Sequence, residues 1–205
     1  MKIKVCGMKY PDNIKDLSKL PVDFMGMIFY DRSPRFANGL TFDDVNTLPP
    51  DIKRVGVFVN AGLGYIVEKM NRYGLDLVQL HGNESPEFCK RLNEALPVIK
   101  AFSIAEASDF EQTKSYDGLC GYFLFDTKTP RYGGSGQKFD WGILDSYTGN
   151  TPFFLSGGVS ICDADEIKKI RRAQFYGIDL NSRFETTPGL KDITLLQQFI
   201  KALKQ

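Results

Sequence analysis

The sequence predicts an α/β fold, a (β/α)8 TIM barrel formed as a single domain over residues 1–205. Three observations predict it. Short, β-rich apolar runs recur eight times, about 20 to 30 residues apart, which is the span of one strand–helix unit. The runs are apolar on both faces, as strands of a parallel sheet covered by helices must be. Helix-periodic stretches lie between several of them, and eight strands are what closes such a sheet into a barrel. An open doubly wound sheet is the alternative, and it often carries a glycine fingerprint after its first strand. Here the first run ends Cys6-Gly7-Met8, and no GxGxxG follows.

The expected strands, in order, are residues 3–6, 24–29, 55–59, 75–80, 98–102, 122–125, 152–155 and 175–180. Between them, residues 61–73 place Leu63, Ile66, Val67 and Met70 on one helical face. Ser85-Pro86-Glu87 is a helix start signal, with Phe88, Leu92, Ala95 and Leu96 as its apolar stripe. Residues 163–171 and 194–203 read the same way, and residues 43–48 give a shorter pattern.

Composition narrows the function classes. The chain has 205 residues, 42% hydrophobic and 25% charged, with a net charge of +1. No global field favours nucleic acid or a membrane surface, so neither is expected as a partner. A local phosphate site needs only a few backbone amides. The first residues lack an apolar segment with a cleavage site, and no run reaches the roughly 18 residues that span a bilayer. Four cysteines, Cys6, Cys89, Cys120 and Cys162, stand far apart with no zinc spacing. Free thiols in a reducing cytoplasm are the expected setting. One histidine, His81, limits metal sites and histidine-based triads.

In such a barrel the chemistry gathers at the C-terminal ends of the strands. The first strand ends in Cys6 and the sixth in Asp126, where Tyr122-Phe123-Leu124-Phe125 runs abruptly into a carboxylate. A thiolate can take a proton from carbon and a carboxylic acid can give one, so these two form a candidate acid/base pair. Cys89, Cys120 and Cys162 are expected to carry no role. Gly157-Gly158 after strand seven and Asn181-Ser182 after strand eight form a candidate phosphate cradle. Arg35 offers a planar fork for a carboxylate or phosphate. Neighbouring Arg32 is given no role. Gln79, His81 and Asp179 are expected to line the pocket. The loop after Asp126, with Pro130, Gly133, Gly134 and Gly136, is a lid candidate.

These motifs together resemble phosphoribosylanthranilate isomerase of tryptophan biosynthesis. The resemblance rests on KVCGM, MGMIFYDRSPRF, RVGVFVN, VQLHGNES, LFDTKTPRYGGSGQKFDW, SGGVS and GIDLNSRFETTPGLKD, seven segments in order over essentially the whole chain. It implies an aldose–ketose isomerase carrying out an Amadori rearrangement of N-(5-phosphoribosyl)anthranilate to 1-(2-carboxyphenylamino)-1-deoxyribulose 5-phosphate. By resemblance Asp126 is the general acid, Cys6 the general base, and Arg35 faces the anthranilate carboxylate. The amides around Gly157, Gly158, Asn181 and Ser182 hold the phosphate. No metal or organic cofactor is implied, and the active form would be a monomer or homodimer. The chain departs from the commoner pattern at Arg183, where a glycine usually follows the serine. The related isomerase of histidine biosynthesis has an aspartate in place of Cys6 and a substrate with a phosphate at each end. A non-catalytic phosphometabolite-binding barrel would have no reason to keep both Cys6 and Asp126.

Overall fold

The structure, a computed structural model, describes residues 1–127 and 139–205. The 127–139 lid candidate therefore lies almost wholly outside the described residues. Eight parallel strands close into a barrel: β1 (Lys2–Val5), β2 (Phe24–Ile28), β3 (Lys53–Phe58), β4 (Leu77–Leu80), β5 (Val98–Ile104), β6 (Tyr122–Thr127), β7 (Phe153–Leu155) and β8 (Phe175–Leu180). Closure is made where β1 pairs with β8, with Lys4 opposite Asp179 and Val5 opposite Leu180. The Cys6 N–H carries that ladder one step further, donating to the Leu180 carbonyl at 2.9 Å.

Two cores result from the alternation of strand side chains. Phe24, Val55, Leu77, Ile99, Ala101, Leu124 and Phe154 point inward and fill the barrel floor. The opposite face packs against the surrounding elements in a larger cluster that includes Phe123, Phe125 and Phe153. Along β6, Tyr122 and Leu124 belong to the inner set. The same period puts Asp126 on the inner face, above the apolar floor.

The covering layer is partly helical. α1 (Pro11–Leu17) begins on a proline and buries Ile14 and Leu17; its short stripe carries little sequence signal. α2 (Phe42–Asn46) is closed by a Thr41–Asp44 capping box. α3 (Leu63–Tyr73) ends at Gly74, whose φ of 56° is the left-handed stop that glycine allows. α4 (Pro86–Asn93) starts where Ser85 Oγ accepts from the Phe88 N–H at 3.2 Å. α6 (Ile193–Lys204) is capped by Asp192.

Elsewhere the outer layer is 3-10 turns, at Ala107–Tyr116 and Trp141–Ser146. The helix expected over 163–171 shrinks to α5 (Ala164–Ile167) after one 3-10 turn. Cations at 168, 169, 171 and 172 leave only Ile170 to continue a buried stripe. After β8, a 3-10 turn (Ser182–Phe184) leads into a small antiparallel hairpin, β9 (Glu185–Thr187) and β10 (Leu190–Lys191). No helix among the described residues is long and apolar enough to cross a membrane.

Candidate active site

The strand ends enclose a cavity of about 380 Å³. Cys6, Arg35, Gln79, His81, Asp126, Gly157, Gly158, Asp179, Asn181 and Ser182 all line it. Arg32, to which no role was assigned, and Arg183 line it too. Among the described residues no group of three or more His, Cys, Asp or Glu is placed to hold a metal ion. Cys89, Cys120 and Cys162 lie away from the cavity wall, the first two buried and the third exposed.

On one side of the mouth stands Asp126. Its Oδ1 accepts the Thr127 N–H at 2.9 Å, and its Oδ2 lies 3.3 Å from His81 Nε2. His81 Nδ1 is 2.9 Å from Gln79 Nε2, two residues earlier on the same face of β4. With the Gln79 amide donating, Nδ1 accepts, and the ring proton sits on Nε2 toward Asp126. The stem below His81 is rigid. Lys100 Nζ donates to the Gly82 carbonyl at 2.6 Å and pairs with Glu84 Oε2 at 3.0 Å, and Glu84 accepts the Asn60 and Gly82 N–H groups. Both charged side chains are buried. Inside the wall, Gln79 Oε1 is buried with no hydrogen-bond partner among the described residues.

Opposite stands Cys6, almost wholly enclosed. Its Sγ lies against Gly26 of β2, where a Cβ would come within 2.7 Å of the sulfur. Two positions earlier on the same face, Lys4 is fully buried beside the sulfur and pairs with Asp179 at 2.8 Å. Burial pushes the Cys6 thiol above its ordinary range, and Lys4 pulls against it. Burial also opposes the Lys4 ammonium, but Asp179 and Cys6 more than offset it and its pKa is raised.

Above this pair the β9–β10 hairpin adds a second ionic knot. Glu185 accepts from Arg35 Nε and Nη2, the latter at 2.7 Å, and from Lys191 Nζ at 2.6 Å. Lys191 also donates to Asn181 Oδ1 at 2.8 Å. Burial opposes the Glu185 carboxylate, yet its two cationic partners hold it below its ordinary range. Arg35 is thus not a solvated loop residue but is locked in plane. Gly7 makes the approach possible. Its φ is +80°, and a Cβ there would meet Arg35 Cδ at 2.8 Å and Asn181 Oδ1 at 2.9 Å.

The third wall is backbone. Gly157 and Gly158 follow β7 with φ of 84° and 71°, two consecutive positive values that glycine takes without strain. Without side chains, this backbone lies open to the cavity that both glycines line. Asn181 precedes the 3-10 turn at Ser182–Phe184, whose first N–H groups have no partner within the turn. The floor of the cavity is apolar, with Ile28 and Val57. A ligand with one aromatic part, one anion against the glycine turn and a second near Arg35 matches these walls.

The sequence reading missed Lys4, Glu185 and Lys191. For Lys4 the signal was available, because a lysine two residues before Cys6 must share its face in a strand.

Comparisons with known proteins converge. A family profile described as N-(5'-phosphoribosyl)anthranilate isomerase matches residues 3–202. A protein of that name from Parabacteroides distasonis is 50% identical over 208 residues, covering 99% of this chain and 93% of the relative. The crystal structure of phosphoribosyl anthranilate isomerase from Thermotoga maritima superposes with a TM-score of 0.86 at 32% identity, covering 100% and 98% of the two chains. A phosphoribosyl anthranilate isomerase in complex with reduced 1-(o-carboxyphenylamino)-1-deoxyribulose 5-phosphate superposes with a TM-score of 0.83 at 28% identity, with the same coverage.

Proposed function

Because the chain belongs to the N-(5'-phosphoribosyl)anthranilate isomerase family, and so is an isomerase of tryptophan biosynthesis, we propose that Asp126 and Cys6 are its general acid and general base. The substrate, N-(5-phosphoribosyl)anthranilate, lies across the mouth with its phosphate against Gly157-Gly158 and Asn181-Ser182. Its anthranilate carboxylate faces Arg35, whose Nη1 is the edge that Glu185 leaves unused.

Asp126 gives its proton to the furanose ring oxygen. The C1–O bond breaks as the anilino nitrogen lone pair forms the C=N bond, leaving an open-chain Schiff base. Cys6, as thiolate, takes the proton from C2, and the electron pair moves into the C1–C2 bond with the imine as electron sink. The enolamine then loses its C2 hydroxyl proton and gains one at C1, giving 1-(2-carboxyphenylamino)-1-deoxyribulose 5-phosphate. This sequence asks for no metal or organic cofactor.

The observation that carries the assignment is that one cavity holds a carboxyl and a thiol on different walls, between an arginine and a glycine turn. The phosphorylated product analogue bound by the superposable relative supports the substrate class. The test is rescue of a tryptophan auxotroph that lacks this isomerase, paired with loss of anthranilate-type fluorescence in vitro. Wild type should rescue. Cys6→Ser and Asp126→Asn should each lose at least about a hundredfold in kcat with little change in KM. Near-normal turnover in either variant removes that residue from the mechanism.

A further inference from the structure

Cys6 presents a difficulty that the fold itself resolves. A base must be a thiolate, and a thiol enclosed this deeply resists ionisation. The surrounding charges are unbalanced in the direction that helps. From β1 comes Lys4, from β8 Asp179, from β10 Lys191, from β9 Glu185 and from the segment after β2 Arg35, and contacts of 2.6 to 2.8 Å join them into two ionic knots. Asp126 and His81 face Asp179 from β6 and β4, but they form a pair of their own.

The two knots beside Cys6 contain three cations and two carboxylates. Lys4, Asp179, Glu185 and Lys191 are all at most 5% exposed, so solvent ions do little to balance them. Burial pulls the Lys191 ammonium below its ordinary range, while a negative charge at Cys6 would favour it. The cluster is one negative charge short, and its innermost cation, Lys4, is buried on the same strand face as the sulfur, two positions away. Gly26 fixes the sulfur there by removing the side chain that would displace it.

We infer that Lys4, backed by Lys191, supplies the charge that lets Cys6 ionise against its burial, with Asp179 present to set how far that ionisation goes; this rests on Cys6 being the base. Lys4 acts through Cys6 and is a positioning residue. A lysine alone would make the thiolate too stable to be a good base, because nucleophilic and basic strength fall with thiol pKa. Asp179 shares the ammonium and keeps the thiolate reactive.

The experiment follows the pH dependence of iodoacetamide alkylation at Cys6, read on the Cys6 peptide by mass spectrometry so that exposed Cys162 does not interfere. Lys4→Met should move the titration to higher pH and slow alkylation at neutral pH by roughly tenfold. Asp179→Asn should move it to lower pH and speed alkylation below neutrality. Lys191→Met, more remote, should move it in the Lys4 direction by less, and it keeps the test available if Lys4→Met does not fold.

Opposite shifts from Lys4 and Asp179 support the inference. A merely structural role would loosen the site in both variants and speed both reactions. Shifts of the same sign, or none, overturn it and leave the extra cation to a substrate anion. If the titration responds as expected but Cys6→Ser keeps near-normal turnover, the assignment of Cys6 as base fails while the electrostatics stand.

Discussion

His81 Nε2 lies 3.3 Å from Asp126 Oδ2, and Gln79 fixes the ring from behind at 2.9 Å. The line Gln79–His81–Asp126 aims the carboxyl into the cavity mouth. His81→Ala is expected to lower kcat by roughly tenfold to a hundredfold, with KM nearly unchanged, because misaiming Asp126, the proposed acid, affects the barrier more than binding. Steady-state kinetics by fluorescence checks this. A rise in KM at constant kcat would mean that His81 holds the bound substrate instead.

Gly7 cannot be replaced cheaply. Its positive φ and the close approach of Arg35 and Asn181 act together. Gly7→Ala should cost about 1–3 kcal/mol of stability. It should also raise KM, since Arg35 is pushed off its position. Urea unfolding and steady-state kinetics on the same preparation test both parts. An unstable variant with normal KM would separate the two effects.

Lys100 sits under the β4 end, where it pairs with Glu84 and caps the Gly82 carbonyl. Lys100→Met would leave Glu84 charged and enclosed, at a cost of about 3–5 kcal/mol. Chemical denaturation should show a lower midpoint with an unchanged slope. A loss below about 1 kcal/mol would mean that water replaces the ammonium.

Asp117 ties the turn before β7. It accepts from the Thr151 hydroxyl and N–H and from the Asn150 N–H. Partial burial works against its ionisation, but these hydrogen bonds hold the carboxyl below its ordinary range. A depressed folded value means the stabilisation is complete above the ordinary carboxylate pKa and is lost as pH falls through the folded one. Asp117→Asn should therefore be less stable than wild type at neutral pH, by about 1–2 kcal/mol. The difference should close in acid. A gap that persists to the lowest accessible pH would point to lost packing instead.

How much of this was legible in the sequence depends on the range of the interaction. The strands announced themselves because each is a local run of apolar residues, and Cys6 and Asp126 because each ends one. The phosphate candidates followed from local glycine and turn chemistry. What escaped was the charge network. Arg35 and Glu185 stand 150 positions apart, and Lys4 and Asp179 stand 175 apart; only closure of the barrel makes them neighbours. In the sequence, Lys4 reads as a polar interruption of a strand and Lys191 as a surface lysine. The outer layer between β5 and β7 was equally silent. A 3-10 turn needs no amphipathic stripe, and residues 107–116 offer chiefly Phe110 and Thr113 to the core.

The β1–β8 seam has a consequence for the order of events during synthesis. Cys6, the proposed base, and its ionic neighbours other than Arg35 come from the first and last strands and the hairpin that follows. They cannot meet until nearly the whole chain has left the ribosome. Contacts so remote in sequence are slow to form, because the entropy of closing the loop between them must be lost first. Until that step, Cys6 lies at the open edge of an unfinished sheet without Asp179 beside Lys4, and the nascent protein holds its thiol outside the electrostatic setting that its proposed role requires.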